Sequence, residues 1–210
     1  MKSMEWRKNI EEAGAEIEGG TRQLMLFFHH PDCEGSKKML KETLEDEKVI
    51  RVIERDTAPL SFNTAIEVGL ARRYRVDWTP TFIIADEKGN ELERWVGYLP
   101  PEDFIAQLEL SKGLSAFHLG RYEETVRDLQ ELVDDNPKSE LVPEAEYYLG
   151  AAVYKMKGDA YQLGEICDTL MDRFPESLWT KKCSVWAHLT KERKPFVAYD
   201  TGGSAGSGAY

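Results

Sequence analysis

Cysteine is scarce in this chain. The three cysteines, Cys33, Cys167 and Cys183, are too few and too scattered for a disulfide framework or a zinc knuckle, and Cys167 and Cys183 read as packing positions. The four histidines do not supply metal-ligand spacing either, because the neighbours His29 and His30 would face opposite ways in a strand. No metal site is expected. Long apolar runs are also missing: none approaches membrane-spanning length, and the opening MKSMEWRKNIEEAGAEIEGG is charged and helical where a secretory leader would be apolar. The expectation is a soluble, cytoplasmic protein with no membrane partner. Positive charge is the third shortage, with 27 Lys and Arg against 38 Asp and Glu and a net charge of -11. A surface of that sign repels nucleic acid and anionic lipid, leaving proteins and small molecules as partners.

Length and apolar content are adequate. With 210 residues, 41% of them apolar, the chain can build one large domain or two small ones with real cores. Residues 3–18 place Met4, Ile10, Ala13 and Ile17 at the spacing of an amphipathic helix that ends near Gly19 and Gly20. QLMLFFH follows as a continuous apolar run of strand length, as in a strand buried on both faces. Met39, Leu40 and Leu44 then recur at helical spacing, VIRVIERD from residue 49 reads as a second strand, and a helix is expected from about Asn63 to Tyr74. After RVDWTPT, the segments TFIIAD, EKGN and ELERWVGY read as a β-hairpin. PPEDFIAQLEL opens a helix with proline at its first positions and acids in its first turn. This order predicts an α/β domain over residues 1–111, a small mixed sheet with helices on both faces.

From Lys112 and Gly113 onward the pattern is purely helical, and it repeats at an offset of 38 residues: Gly120 with Gly158, Leu132 with Leu170, Pro137 with Pro175 and Ser139 with Ser177. Each unit reads as a helical hairpin that turns at LG or KG and stops before proline. About two units and the closing helix WTKKCSVWAHL form an all-α domain over residues 112–194. Residues 195–210, ending in TGGSAGSGAY, read as a flexible tail or an expression scar.

DCEGSKKM, VDWTPTFII and RWVGYLPPEDFIAQL, in that order, resemble the active-site segments of the thioredoxin-like superfamily over roughly residues 20–111. The helical units resemble tetratricopeptide repeats, with a period longer than the usual value of about 34. The resemblance implies an α/β thioredoxin-like fold followed by an all-α helical-repeat (tetratricopeptide-like) domain. In that superfamily the first cysteine of the turn attacks a substrate disulfide and the second resolves the mixed disulfide. Cys33 matches the first, and Ser36 stands in place of the second. Pro80 matches the superfamily's cis-proline, which exposes the backbone of the preceding residue, here Thr79, for a substrate peptide to pair with as an added strand. Gly97 matches a position near the rim of the site, and Trp78 is a candidate for lining the substrate groove or for core packing. Two usual features are replaced: Asp32 stands where a tryptophan precedes the first cysteine, and Phe27 where the preceding strand carries a buried acid.

A sulfur at a helix start faces unpaired N–H groups, which favours the thiolate; Asp32 and Glu34 oppose this, while Lys37 and Lys38 support it. The Ser36 hydroxyl can donate a hydrogen bond to a thiolate but cannot form a disulfide. Three readings of Ser36 stay open: a natural monothiol site, a degenerate site kept for binding, or a replacement of cysteine made to trap a mixed disulfide. The KKM that follows it is what commonly follows the second cysteine. His29 and His30 are either proton acceptors near Cys33 or plain strand-end residues.

Two functions are therefore expected. One is a thiol-disulfide oxidoreductase acting on protein disulfides through Cys33, with release by an external small thiol such as glutathione. The Cys-x-x-Ser spacing also resembles that of monothiol glutaredoxins, but their Gly-Gly pair after the hairpin and basic residues before the cysteine are lacking here, so no iron-sulfur cluster and no other cofactor is expected. The other is a non-catalytic module that binds a peptide around Pro80 and a protein partner on the helical repeats. There Glu123, Glu124, Asp128, Glu131, Asp134 and Asp135 suit a basic partner or form a solvated face.

Overall fold

A computed structural model describes residues 4–190 of the chain. Strand β1, Gln23–His29, lies inside a four-stranded sheet of order β2-β1-β3-β4, in which β2 is Thr57–Asn63, β3 is Thr81–Ala85 and β4 is Glu91–Val96. β2 runs parallel to β1, whereas β3 is antiparallel to β1 and β4 antiparallel to β3. Because side chains alternate along a strand, β1 supplies two cores. Leu24, Leu26 and Phe28 pack with Leu60 and Ile83 beneath α1 (Ile10–Ile17) and α4 (Val68–Arg73). Met25 and Phe27 face the other way and pack with Phe82, Ile84 and Trp95. That second face is covered by α2 (Glu34–Lys38), its π-helical continuation Met39–Thr43, α3 (Glu47–Asp56) and the start of α5 (Pro101–His118).

Three expectations from the sequence are corrected. VIRVIERD is not a strand but the body of α3. Asp46 caps that helix, its carboxylate accepting the Lys48 and Val49 N–H groups at 2.8 and 3.1 Å, and Val49, Ile50 and Ile53 bury one helical face. The second strand is instead TAPLSFN, an edge strand that tolerates Pro59; the Pro59 carbonyl accepts the Arg7 N–H at 2.9 Å. The first helix is shorter than expected, because Asn9 caps it through the Glu11 and Glu12 N–H groups and the residues before it run along β2. The helix expected from Asn63 begins only at Val68, after a turn in which the Asn63 side chain accepts the Ala65 N–H. In the hairpin, Asp86 accepts the Lys88 and Asn90 N–H groups, and Gly89 takes a φ of 78°.

The rest of the described chain is helical: α6 (Tyr122–Asp135), α7 (Val142–Lys157), α8 (Tyr161–Arg173), α9 (Leu178–Cys183) and a 3-10 turn at Ser184–Trp186. The repeat offset appears in the backbone, with Gly120 and Gly158 both left-handed at φ 73° and 69° where a helix ends. α5 passes through residue 111 without a break. Its Phe104 and Leu108 pack under the sheet, while Ala106, Leu110 and Leu114 join Leu129, Leu132, Ala145 and Leu149 in the helical core. Charges line the same seam: Lys112 reaches Asp56 of α3 at 3.5 Å and Asp128 of α6 at 3.4 Å, and Arg55 approaches Glu131 at 3.7 Å. Cys167 and Cys183 do more than fill space. They form a disulfide between α8 and the end of α9, with Cα atoms 5.4 Å apart and both residues buried. The expected tail from residue 195 lies outside the described residues.

Candidate active site

β1 ends at His29, and the chain turns through His30, Pro31 and Asp32 to Cys33, the N-cap of α2. The turn is closed by the Cys33 N–H, which donates to the His30 carbonyl at 3.1 Å, and by the His30 N–H, which donates to Ser36 Oγ at 3.3 Å. Ser36 is buried, whereas Cys33 stays half-exposed. Opposite the turn, the Thr79–Pro80 peptide bond is cis, and the Thr79 carbonyl accepts the Cys33 thiol at 3.0 Å. Gly35 is small for a reason: a Cβ there would lie 3.1 Å from Pro80 Cδ, so a side chain would push the turn off the proline. Gly97, with φ 106°, donates its N–H to the Pro80 carbonyl at 2.8 Å, which links β4 to the same loop. Thr81 Oγ1 donates to the Trp78 carbonyl at 2.7 Å and leaves the Trp78 ring 71% exposed.

The six residues singled out from the sequence are thus gathered around one loop, though not in equal roles. Cys33, Thr79 and Trp78 line an open groove of about 450 Å³, whose other walls are His30, Asp32, Thr64, Val76 and Asp77. Ser36, Pro80 and Gly97 support that groove from behind. Thr64, Val76 and Asp77 were not anticipated. Thr64 follows β2, and its N–H donates to the His29 carbonyl at 2.9 Å, so it sits at the carboxyl ends of the two parallel strands, where open sheets present their crevices.

The balance of effects on the sulfur is resolved by the geometry. Burial pushes the Cys33 pKa up, but hydrogen bonding from Thr79, Ser36 and Gly35 outweighs it, and the pKa falls below the ordinary thiol value. The thiol spends its proton on the Thr79 carbonyl; the thiolate, which cannot, draws instead on the donors of the turn. Lys37 is tied to Glu34 at 2.6 Å, and Lys38 lies 3.8 Å from Glu42 and over the Tyr98 ring, so the flanking charges are largely spent on one another. His30 lines the groove, but its Nδ1 accepts the Asp32 N–H at 3.2 Å. His29 stacks on Phe27 with centroids 5.2 Å apart, and burial holds its pKa below the usual value against the pull of Glu67. Phe27 itself stacks on Phe82, so the core behind the turn is aromatic where an acid was absent from the sequence.

Residues 10–112 match the family model described as a thioredoxin-like domain. No curated protein matches the chain. Among solved structures, a thioredoxin from Thermus thermophilus is similar at 31% identity, over 51% of this chain and 85% of that one, with a TM-score of 0.45. A DsbH oxidoreductase is similar at 16% identity over 53% of this chain and 85% of its own, with a TM-score of 0.44. The oxidised C-terminal domain of Neisseria meningitidis DsbD follows at 15% identity over 50% and 97%, with a TM-score of 0.41. The sheet order, the cysteine turn facing a cis Thr-Pro and the matched family place residues 10–112 in the thioredoxin-like domain family, with an all-α run of helices joined to it through α5.

Proposed function

We propose that the protein exchanges thiols and disulfides through Cys33, one sulfur at a time, on protein substrates held in the groove beside Thr79. The observation that carries this reading is the Cys33 sulfur, half-exposed, 3.0 Å from the Thr79 carbonyl, with its pKa drawn below the ordinary value by burial being outweighed by donors. The Cys33 thiolate attacks one sulfur of a substrate disulfide. A Cys33–substrate disulfide forms, the substrate S–S bond breaks, and the second substrate sulfur leaves as a thiolate that takes a proton from water. Ser36 has no sulfur to finish the cycle, so the thiolate of an external small thiol such as glutathione attacks the substrate sulfur of the mixed disulfide: a substrate–glutathione disulfide forms, the Cys33–substrate bond breaks with Cys33 leaving as a thiolate, and a second glutathione then frees the substrate thiol as glutathione disulfide. The groove and the helical pairs, read as tetratricopeptide-like repeats, select the protein. No cofactor takes part in these steps.

The compartment depends on the second cysteine pair. A buried disulfide such as Cys167–Cys183 persists where the surroundings are oxidising, so a cytoplasmic location requires that pair to be kept as a dithiol. Among the described residues, no helix is long and apolar enough to cross a membrane.

A second reading, a binding module with an incidental Cys33, draws support from the exposed Trp78 and from Ser36 itself. Iodoacetamide alkylation of Cys33 followed across pH by mass spectrometry, together with insulin reduction by this chain and by Ser36→Cys, separates the two. Rapid alkylation at neutral pH that is quenched toward acid, with insulin reduction appearing in Ser36→Cys, is the expected result. A slow thiol with an ordinary titration and no reduction by either protein would leave only the binding module.

A further inference from the structure

The walls of the Cys33 groove carry charge of one sign. Asp32, next to the sulfur on the cysteine turn, and Asp77, two residues before Thr79 on the loop that leads into β3, both line it. Both are exposed, and neither carboxylate makes a hydrogen bond or ion pair among the described residues; Asp32 bonds only through its backbone N–H, to His30 Nδ1. No lysine or arginine is found among the described residues that line the groove. The cations that act on these carboxylates from outside it are committed elsewhere. Lys37 is bonded to Glu34 at 2.6 Å, and Arg94 is bonded to Glu91 and donates to the Tyr74 carbonyl at 2.7 Å.

Trp78 adds an open face to the same wall. Its ring is 71% exposed, and among the described residues no other ring stacks on it and no cation lies over it. An indole face draws a cation, and the carbon stem of a lysine or arginine packs along such a ring while its charged head stays in water. Once Cys33 is a thiolate, the groove holds a third negative charge beside the two carboxylates.

With the exchange chemistry at Cys33 as the premise, we propose that the groove selects protein substrates whose reactive cysteine has lysine or arginine within two residues of it, and that Asp32 and Asp77 set this preference. Residues of an extended chain are about 3.3 Å apart, so a basic neighbour comes within reach of the carboxylates when the substrate sulfur meets Cys33. An acidic neighbour meets three like charges at the moment of attack. Because the two carboxylates are exposed, the attraction acts on rate and on choice of substrate more than on affinity, and salt screens it. Asp32 stands where the superfamily's turn carries tryptophan, so the preference belongs to this chain rather than to the fold.

The test uses the full chain at low salt and three peptides, N-acetyl-Gly-Lys-Cys-Lys-Gly-amide and its counterparts with Gln or Glu for Lys, each carrying thionitrobenzoate as a mixed disulfide on its cysteine. The Cys33 thiolate attacks the peptide sulfur, a Cys33–peptide disulfide forms, the peptide–thionitrobenzoate bond breaks, and thionitrobenzoate leaves as a coloured thiolate that reports the rate. Each rate is divided by that of the same peptide with free mercaptoethanol, and Cys33→Ser supplies the background. The ratio of Lys to Glu peptide cancels the thiolate fraction of Cys33, so a shifted thiol pKa in a variant does not imitate a changed preference. The ratio is expected to be about tenfold, to fall about threefold in each of Asp32→Asn and Asp77→Asn, and to approach one at high salt. A ratio near one in the parent, or one that both variants leave unchanged, would overturn the charge preference while exchange at Cys33 stood. Release no faster than from Cys33→Ser with every peptide would instead remove the exchange reading and the preference with it.

Discussion

Glu109 offers the sharpest test of how the sheet and the helices are joined. It lies on α5, 7% exposed, and takes a hydrogen bond from Asn136 Nδ2 at 3.2 Å. Burial, then repulsion from Glu131 and Asp135 of α6, lifts its pKa from 4.5 to about 7, against the pull of Arg55 and with a further push from Asp56 of α3. The native state therefore keeps a proton that the unfolded chain has released. The stabilisation is full below the unfolded pKa and is lost as pH rises through the folded one. At about 1.36 kcal/mol per pKa unit, a rise from 4.5 to about 7 is worth about 3 kcal/mol, of which about 2.5 kcal/mol disappears between pH 5 and pH 8.5. Glu109→Gln removes the titration and keeps an oxygen to accept the Asn136 amide. Urea unfolding of both proteins at the two pH values should show the variant gaining about 2.5 kcal/mol on the parent from the lower to the higher pH. A difference that stays flat, or that grows toward acid, would refute the account of a carboxylate trapped in an acidic seam.

The remaining predictions concern the other cysteine pair and the release step. Cys167 and Cys183 close a loop with a sequence separation of 16, so Cys183→Ser, or reduction of the parent, should cost about 3 kcal/mol of stability; thermal scans with and without dithiothreitol that coincide for parent and variant would mean that the pair does not form. Asp32 and Asp77 line the groove and repel the carboxylates of glutathione, so the cationic thiol cysteamine should release a Cys33 mixed disulfide several-fold faster than glutathione at low salt, with the advantage shrinking at high salt. Equal rates at every salt concentration, measured by the reappearance of free Cys33, would remove that electrostatic argument.

The legibility of the sequence differs from element to element for physical reasons. β1 is plain because both of its faces are buried, which makes it an unbroken apolar run. α3 is not, because Val49, Ile50, Val52 and Ile53 are β-branched and suggest a strand, although the doublets break alternation and Asp46 caps a helix. β2 is hidden for the converse reason: Pro59 and Ser61 interrupt a run that survives because it is an edge strand. That one exchange of helix and strand also hid Thr64 from the site, since its place depends on the parallel register of β2 with β1. Cys33, Thr79 and Pro80 were picked out through the resemblance of DCEGSKKM and VDWTPTFII to thioredoxin-like active-site segments, and the fold brings them to one place. The Cys167–Cys183 pair was not, because the turn between α8 and α9 brings together two positions that each look like ordinary packing.

Ser36 changes what the two halves of the chain must do for each other. In a site with two cysteines, the second sulfur ends the encounter, so recognition need last only as long as the exchange. On the proposed mechanism, a covalent complex at Cys33 would persist until a separate thiol enters the groove, whose support, Ser36 Oγ, is already engaged by the His30 N–H. A covalent lifetime set from outside gives weak contacts elsewhere on the chain time to form and to matter, since a tethered second contact acts at high effective concentration. α5 gives the sheet and the helices a common frame, because it packs under the sheet at Phe104 and Leu108 and into the helical core at Leu110 and Leu114.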